Sequence, residues 1–255
     1  MYRCENKIQY PFDYENRKSD KIVIFIHGIL EGPNQFREFA NILEKENISY
    51  SAILLSGHGK TYKEFVKSSK EGWINSIDRE ILKYKDKYRK TILVGHSMGG
   101  LLSILSSLKY KDSIEGIVLI STPLKVFVRL NIITSIIKIG LHKEGKQDIL
   151  PIRVKRMLSV SSGPLLSYLK YIPRYIDLFH LIKLTNKNIE NISVPSLIVQ
   201  CKKDEVISYK SLEIFERKLK NDYEIIKLNK SDHFYYNYDD FEYLVNKLIL
   251  FIKKI

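Results

Sequence analysis

The chain has 255 residues, 44% hydrophobic and 28% charged, which is ordinary for a globular protein and long enough for one α/β domain with an insertion. Its 42 basic and 29 acidic residues leave a net charge of +13, but the lysines are scattered without a recognition motif, so nucleic acid is not an expected partner. Cys4 and Cys201 supply neither a disulfide framework nor a metal cluster, and no signal-peptide core or unbroken apolar span is present, so the expected location is the cytoplasm.

In chain order, 8–14 offers a first short strand. Residues 22–26 (Ile-Val-Ile-Phe-Ile) are an unbroken apolar run, which predicts a strand covered on both faces of a parallel sheet. It ends in His27-Gly28-Ile29-Leu30-Glu31-Gly32-Pro33, a loop by its glycines and proline. Apolar residues at helical spacing predict helices over 34–45 and 72–88. Between them a strand over 51–55 closes in Ser56-Gly57-His58-Gly59. A strand over 91–94, a helix over 101–108 and a strand over 116–120 follow. From 124 to about 187 the alternation stops, with breakers at Gly140, Gly145, Pro151, Gly163, Pro164 and Pro173. It resumes with a strand over 196–200, a helix over 211–219, a strand over 224–228 and a closing helix over 241–252. This alternation predicts an α/β fold whose parallel sheet is flanked by helices. Residues 1–123 and 188–255 form its core, and 124–187 is expected as a helical cap at the carboxyl edge of the strands, where open α/β sheets bind ligands.

The stretch Gly95-His96-Ser97-Met98-Gly99-Gly100 lies between the 91–94 strand and the 101–108 helix. In that context Gly-x-Ser-x-Gly is a nucleophile elbow. So sharp a turn brings together the residues two before and two after the serine, so Gly95 and Gly99 must lack side chains. The helix N-terminus behind Ser97 favours developing negative charge. A serine nucleophile needs a base, and the base needs an orienting acid. Asp204 follows the 196–200 strand and His233 follows the 224–228 strand, so both reach the same sheet edge as Ser97. Asp232 is the rival acid. Neighbouring residues on an extended loop diverge, which favours Asp204.

With these residues in place, the chain resembles the α/β-hydrolase superfamily and, within it, the small-capped bacterial carboxylesterases and monoacylglycerol lipases. The resemblance is carried by His27-Gly28-Ile29-Leu30-Glu31-Gly32, Leu55-Ser56-Gly57-His58-Gly59, the elbow, Asp204-Glu205-Val206-Ile207 and Asp232-His233, in matching order over nearly the full length. It implies a serine hydrolase of carboxylic esters with no metal or organic cofactor. Ser97 would be the nucleophile, His233 the base, Asp204 the acid, and the backbone N–H groups of Ile29 and Met98 the oxyanion hole. The family order of serine, acid and histidine sets aside His27 and His58, while His96 lies on the tight turn and His142 and His180 in the insertion. Two departures stand out. The leading hairpin is shortened, which implies about seven strands, and Asp232 stands where many relatives have glycine.

Thioesterase, amidase, acyltransferase and C–C hydrolase chemistry would use the same triad, and a non-catalytic ligand-binding role on this fold is the alternative of a different kind. Position alone nominates Leu30, Met98, Phe127, Leu165 and Tyr168 as pocket lining. The insertion carries twelve basic and three acidic residues, so about a quarter of the chain holds +9 of the +13. Its apolar run 132–139 leaves two outcomes open. The run packs on the sheet, or it rests on anionic lipid and takes a monoacyl substrate from it.

Overall fold

The computed structural model describes residues 9–255, apart from 142, 144, 146 and 162, with 133, 140 and 165 described for backbone only. Ile8 and His142 therefore lie outside the described residues. Seven strands form one sheet: β1 (Phe12–Tyr14), β2 (Lys21–Ile26), β3 (Ser49–Ala52), β4 (Lys90–His96), β5 (Ile114–Ile120), β6 (Ser196–Cys201) and β7 (Tyr223–Leu228). Their order is β1-β3-β2-β4-β5-β6-β7. Neighbours run parallel except β1, which is antiparallel to β3. The helices are α1 (Arg37–Lys45), α2 (Tyr62–Lys67), α3 (Lys70–Tyr84), α4 (Met98–Lys109), α5 (Leu130–Gly140), α6 (Ile149–Met157), α7 (Ile172–Asn188), α8 (Lys210–Lys218) and α9 (Tyr238–Lys254). This is the α/β-hydrolase fold, with the seven strands expected.

The central strands read as continuous apolar runs because both faces are covered. Along β2, Ile22, Ile24 and Ile26 enter one core with Trp73, Ile77 and Ile81 of α3, while Val23 and Phe25 enter the other with Phe39 and Leu43 of α1. The same alternation splits β5, with Ile117 and Leu119 on one side and Val118 and Ile120 on the other. The third strand starts and stops earlier than 51–55. Its ladder ends where β1 runs out, at Phe12↔Ala52, although Ile53 and Leu55 remain buried in the loop beyond.

Register places the loops that matter side by side. Ile26 of β2 pairs with Gly95 of β4, and His96 pairs with Ile120 of β5. The chain therefore leaves β2 and β4 at the same level. Among the described residues, the segment between β5 and β6 adds α5, α6, a 3-10 stretch (Leu165–Tyr171), α7 and a short 3-10 turn (Ile189–Asn191). It is tied to the sheet edge by backbone bonds. Phe127 and Arg129 N–H donate to Val206 and Glu205 carbonyls at 2.9 and 3.0 Å, and Ser208 N–H donates to Lys125 at 3.0 Å. At its middle, Ser159 N–H donates to the Leu30 carbonyl at 2.8 Å.

The turn from β4 into α4 is the tightest point of the fold. A Cβ on Gly99 would lie 2.0 Å from the Ile26 carbonyl oxygen and 2.9 Å from that of His27. Both obstacles are backbone, so neither rotates away. Gly99→Ala should therefore cost about 3 kcal/mol or more and lower the melting temperature by at least ~6 °C, readable by thermal unfolding against Gly145→Ala, whose Cβ would meet nothing closer than 3.6 Å.

Candidate active site

Ser97 caps α4 with φ +52° and ψ −122°, a conformation that costs a non-glycine residue about 1–3 kcal/mol and is held only by its surroundings. Those surroundings are backbone: Ser97 N–H donates to Ile120 at 2.9 Å, and Gly100 N–H donates to the Ser97 carbonyl at 2.9 Å. The strain turns the Ser97 side chain to the carboxyl edge of the sheet, at the positive end of the α4 dipole.

Beside it runs the turn after β2. Glu31 N–H donates to the Gly28 carbonyl at 3.3 Å, and Leu30 sits at φ +62°. Two histidines brace this turn. His27 Nδ1–H donates to the Gly28 carbonyl at 2.9 Å while its Nε2 accepts the Leu55 N–H at 3.1 Å. His58 Nδ1–H donates to the Ser56 carbonyl at 3.2 Å, and its Nε2 accepts the Leu30 N–H at 3.1 Å. A backbone N–H only donates and a carbonyl only accepts, so each ring is fixed as one neutral tautomer. Burial pushes the His27 imidazole down to about 4, and His58 well below its ordinary value, with the neighbouring His27 a further cause for His58. With the Gly28 N–H taken by Glu31 and the Leu30 N–H by His58, the Ile29 N–H is the donor of this turn with no partner among the described residues.

His233 and Asp204 meet. His233 Nδ1–H donates to Asp204 Oδ2 at 2.9 Å, both groups buried. Asp204 Oδ1 accepts the N–H groups of Val206 and Ile207 at 2.9 and 2.7 Å, so the carboxylate is held at both oxygens. Asp232 goes elsewhere: it pairs with Arg153 of α6 and accepts the Phe234 N–H at 2.9 Å. Ser97 and His233 are not hydrogen-bonded to each other, which is common before substrate tightens such a site.

Charge in this pocket is balanced tightly. Burial would raise the Asp204 carboxyl, but the His233 ring and the two N–H donors hold it below its ordinary value. Burial would lower His233, but Asp204 first and then Glu31 push it up to about 9. Glu31 is the residue sequence reasoning missed. Burial opposes its ionisation, yet His96, His233 and Gln35 hold it down at about 2. His96, set aside as the base, donates from Nδ1 to Glu31 Oε2 at 2.8 Å. Nothing in the motif flagged Glu31 beyond an acidic residue in a loop of glycines. Ligand atoms of Glu31, His96 and His233 lie within 4.8 Å of one another, and all three are engaged in the contacts just described.

The nominated pocket residues separate. Met98 is fully buried, and Leu30 and Tyr168 pack against the same core. Phe127 is 61% exposed. The Leu165 side chain lies outside the described residues.

Comparison with known proteins places this geometry in company. The model of the family described as serine aminopeptidase, S33 (Hydrolase_4) matches residues 17–237. A carboxylesterase of Bacillus subtilis (strain 168) is 22% identical over 218 residues, 85% of each chain. A thermostable monoacylglycerol lipase of Bacillus sp. (strain H-257) is 25% identical over 228 residues, 88% of this chain and 86% of that one. Among solved structures, one from work on the metagenome-derived lipolytic enzymes LipS and LipT superposes with a TM-score of 0.78 at 19% identity, covering 97% of this chain and 98% of that one.

The neutral histidines make the fold sensitive to acid. Below about pH 6.5 the unfolded chain protonates His27 and His58, whereas the folded chain refuses those protons until near pH 4 for His27. Stability therefore falls as pH drops through that window. Urea unfolding at pH 7 and pH 5 should give a lower midpoint at pH 5, and His27→Asn should flatten the difference.

Proposed function

The chain belongs to the serine aminopeptidase S33 family of α/β-hydrolases, and from that premise we propose that it is a serine carboxylic-ester hydrolase acting through Ser97, His233 and Asp204. One observation carries the reading: Ser97 stands at positive φ on the elbow, at the same sheet edge as the buried His233–Asp204 pair. Ser97 Oγ attacks the ester carbonyl while His233 Nε2 takes its proton. Asp204 keeps the other ring nitrogen protonated and stabilises the imidazolium. The Ile29 and Met98 N–H groups receive the oxyanion. His233 then protonates the leaving alcohol, and water repeats the cycle on the acyl-enzyme.

The family description names a peptidase, while the carboxylesterase and monoacylglycerol lipase it resembles support the ester.

Residues 124–187 are read as a cap, and α5 favours a lipid substrate. Its inner residues Ile132 and Ile139 pack with Val154 of α6 against Val206 and Phe234, neighbours of Asp204 and His233. Its outer residues Leu130 and Ile137, and Leu141 just beyond its end, are exposed. A helix apolar on both faces lacks a cover for one of them. Arg129 and Lys138 flank those residues on a strongly basic segment, so its charge complements an anionic lipid surface.

Ser97→Ala should remove both ester turnover and labelling by a fluorophosphonate probe. Asp204→Asn should slow turnover by roughly ten-thousand-fold, as the equivalent change does in another triad enzyme, and Asp232→Asn should cost far less. Turnover by a clean Ser97→Ala preparation would overturn the reading, and chromogenic esters run beside anilides would separate esterase from amidase.

Sedimentation with anionic vesicles at low salt should recover the protein, with loss at high salt and in Leu130→Asp/Ile137→Asp. No recovery with anionic vesicles at low salt would remove the lipid surface from the proposal, and equal recovery with neutral vesicles would remove its charge dependence.

A further inference from the structure

Glu31 is a buried carboxylate that the ester mechanism does not use. Its Oε2 takes three donors: the Gly28 N–H at 2.7 Å, His96 Nδ1 at 2.8 Å and Gln35 Nε2 at 3.0 Å. Its Oε1 makes none of these bonds and faces His233 Nε2 at 3.9 Å. The His233 ring therefore lies between two carboxylates, Asp204 on the Nδ1 edge and Glu31 on the Nε2 edge. One carboxylate is enough to orient a ring and fix its tautomer. A second, on the edge that takes and returns the serine proton, changes how strongly that edge holds it.

We propose that Glu31 is a positioning residue whose charge stabilises the His233 imidazolium from the Nε2 side and so sets the pH at which the base becomes available. This rests on the reading of His233 as general base. The other ionisable groups around the ring are Asp204 and Glu205 from the loop after β6, His96 at the end of β4, and Asp232 with its partner Arg153 of α6. Around Glu31 they are His96, His233, His27 and His58. Glu31 is thus the negative group that reaches His233 from the loop after β2, on the opposite edge from Asp204.

The sign of the effect follows from which states carry the proton. On the acid side, the resting enzyme and the transition state both hold a protonated ring, so the Glu31 contribution cancels. On the alkaline side only the transition state does, so Glu31 accelerates the reaction. Removing the charge should shift the acid limb of kcat/KM to lower pH by about 1, the lower end of what a charge at this distance does. The alkaline plateau should fall by up to about tenfold, with little change on the acid slope. A residue that only braced the Gly28 turn would lower the rate by one factor at every pH and leave the limb in place.

The experiment pairs two readouts. The kcat/KM profile of wild type, Glu31→Gln and Glu31→Asp is followed by pH-stat on an uncharged ester from about pH 5 to 10. The His233 ring proton is titrated by NMR in Ser97→Ala protein, with and without Glu31→Gln, which needs no turnover. The expected result is titration near 9 in the Ser97→Ala parent, about 1 lower with Glu31→Gln, and a limb near the wild-type position in Glu31→Asp. Titration of His233 unchanged by Glu31→Gln overturns the proposal. So does titration at or below about 6.5, the ordinary histidine value, in the parent, a result available even where Glu31→Gln does not fold. A ring that shifts as expected in a protein without esterase turnover supports the coupling and removes the ester reading, so the two failures are distinguishable.

Discussion

The approach of Gly99 to the Ile26 carbonyl is the contact on which the rest of the molecule depends. It lets α4 begin immediately after β4, which forces Ser97 to positive φ and sets it beside the turn that leaves β2. Neither strand could move outward to relieve the strain, because Ile26 and Gly95 are paired in the ladder. The strain at Ser97 is local. Its support comes from two apolar layers that fix the sheet on both faces.

Around that contact the protein handles buried polarity in two ways. His27 and His58 are kept neutral and act as struts, each spending both nitrogens on backbone groups. His233 is kept among carboxylates, which offset its desolvation. Three imidazoles within one sheet edge thus have opposite electrostatic settings, decided by whether the nearest acceptor is a carbonyl or a carboxylate. The motif histidines before the elbow hold a loop, and the one after β7 is held by a carboxylate.

Much of this was legible in the sequence, for physical reasons that can be named. Apolar runs such as 22–26 admit only a strand covered on both faces, and the glycines around Ser97 admit only a turn too tight for a Cβ. The Asp204–His233 contact followed from two loops leaving one sheet edge, and the expected divergence of Asp232 appears as its bond to Arg153. What was not legible is equally specific. Ser49, Tyr50 and Ser51 do not form an apolar run, so β3 was placed two residues late. The run 132–139 has isoleucines all round the helix, and periodicity alone does not say which of them face inward. The engagement of Glu31 depends on Gly28, Gln35, His96 and His233 meeting in space, with no fixed spacing along the chain to announce it.

The position of the insertion bears on how the chain finds its fold. β5 and β6 are neighbours in the sheet, Ile117 beside Ser196, yet the whole helical segment lies between them in sequence. Pairing them closes a long loop before any of its cost is returned by packing. β1 to β5 can assemble from contacts closer in sequence, so that half has the lower barrier. Asp204 and His233 both follow the late closure, since they sit beyond β6 and β7. The strained serine lies in the first of these halves, and His233 lies in the second. Until the late pairing forms, nothing holds His233 beside the elbow.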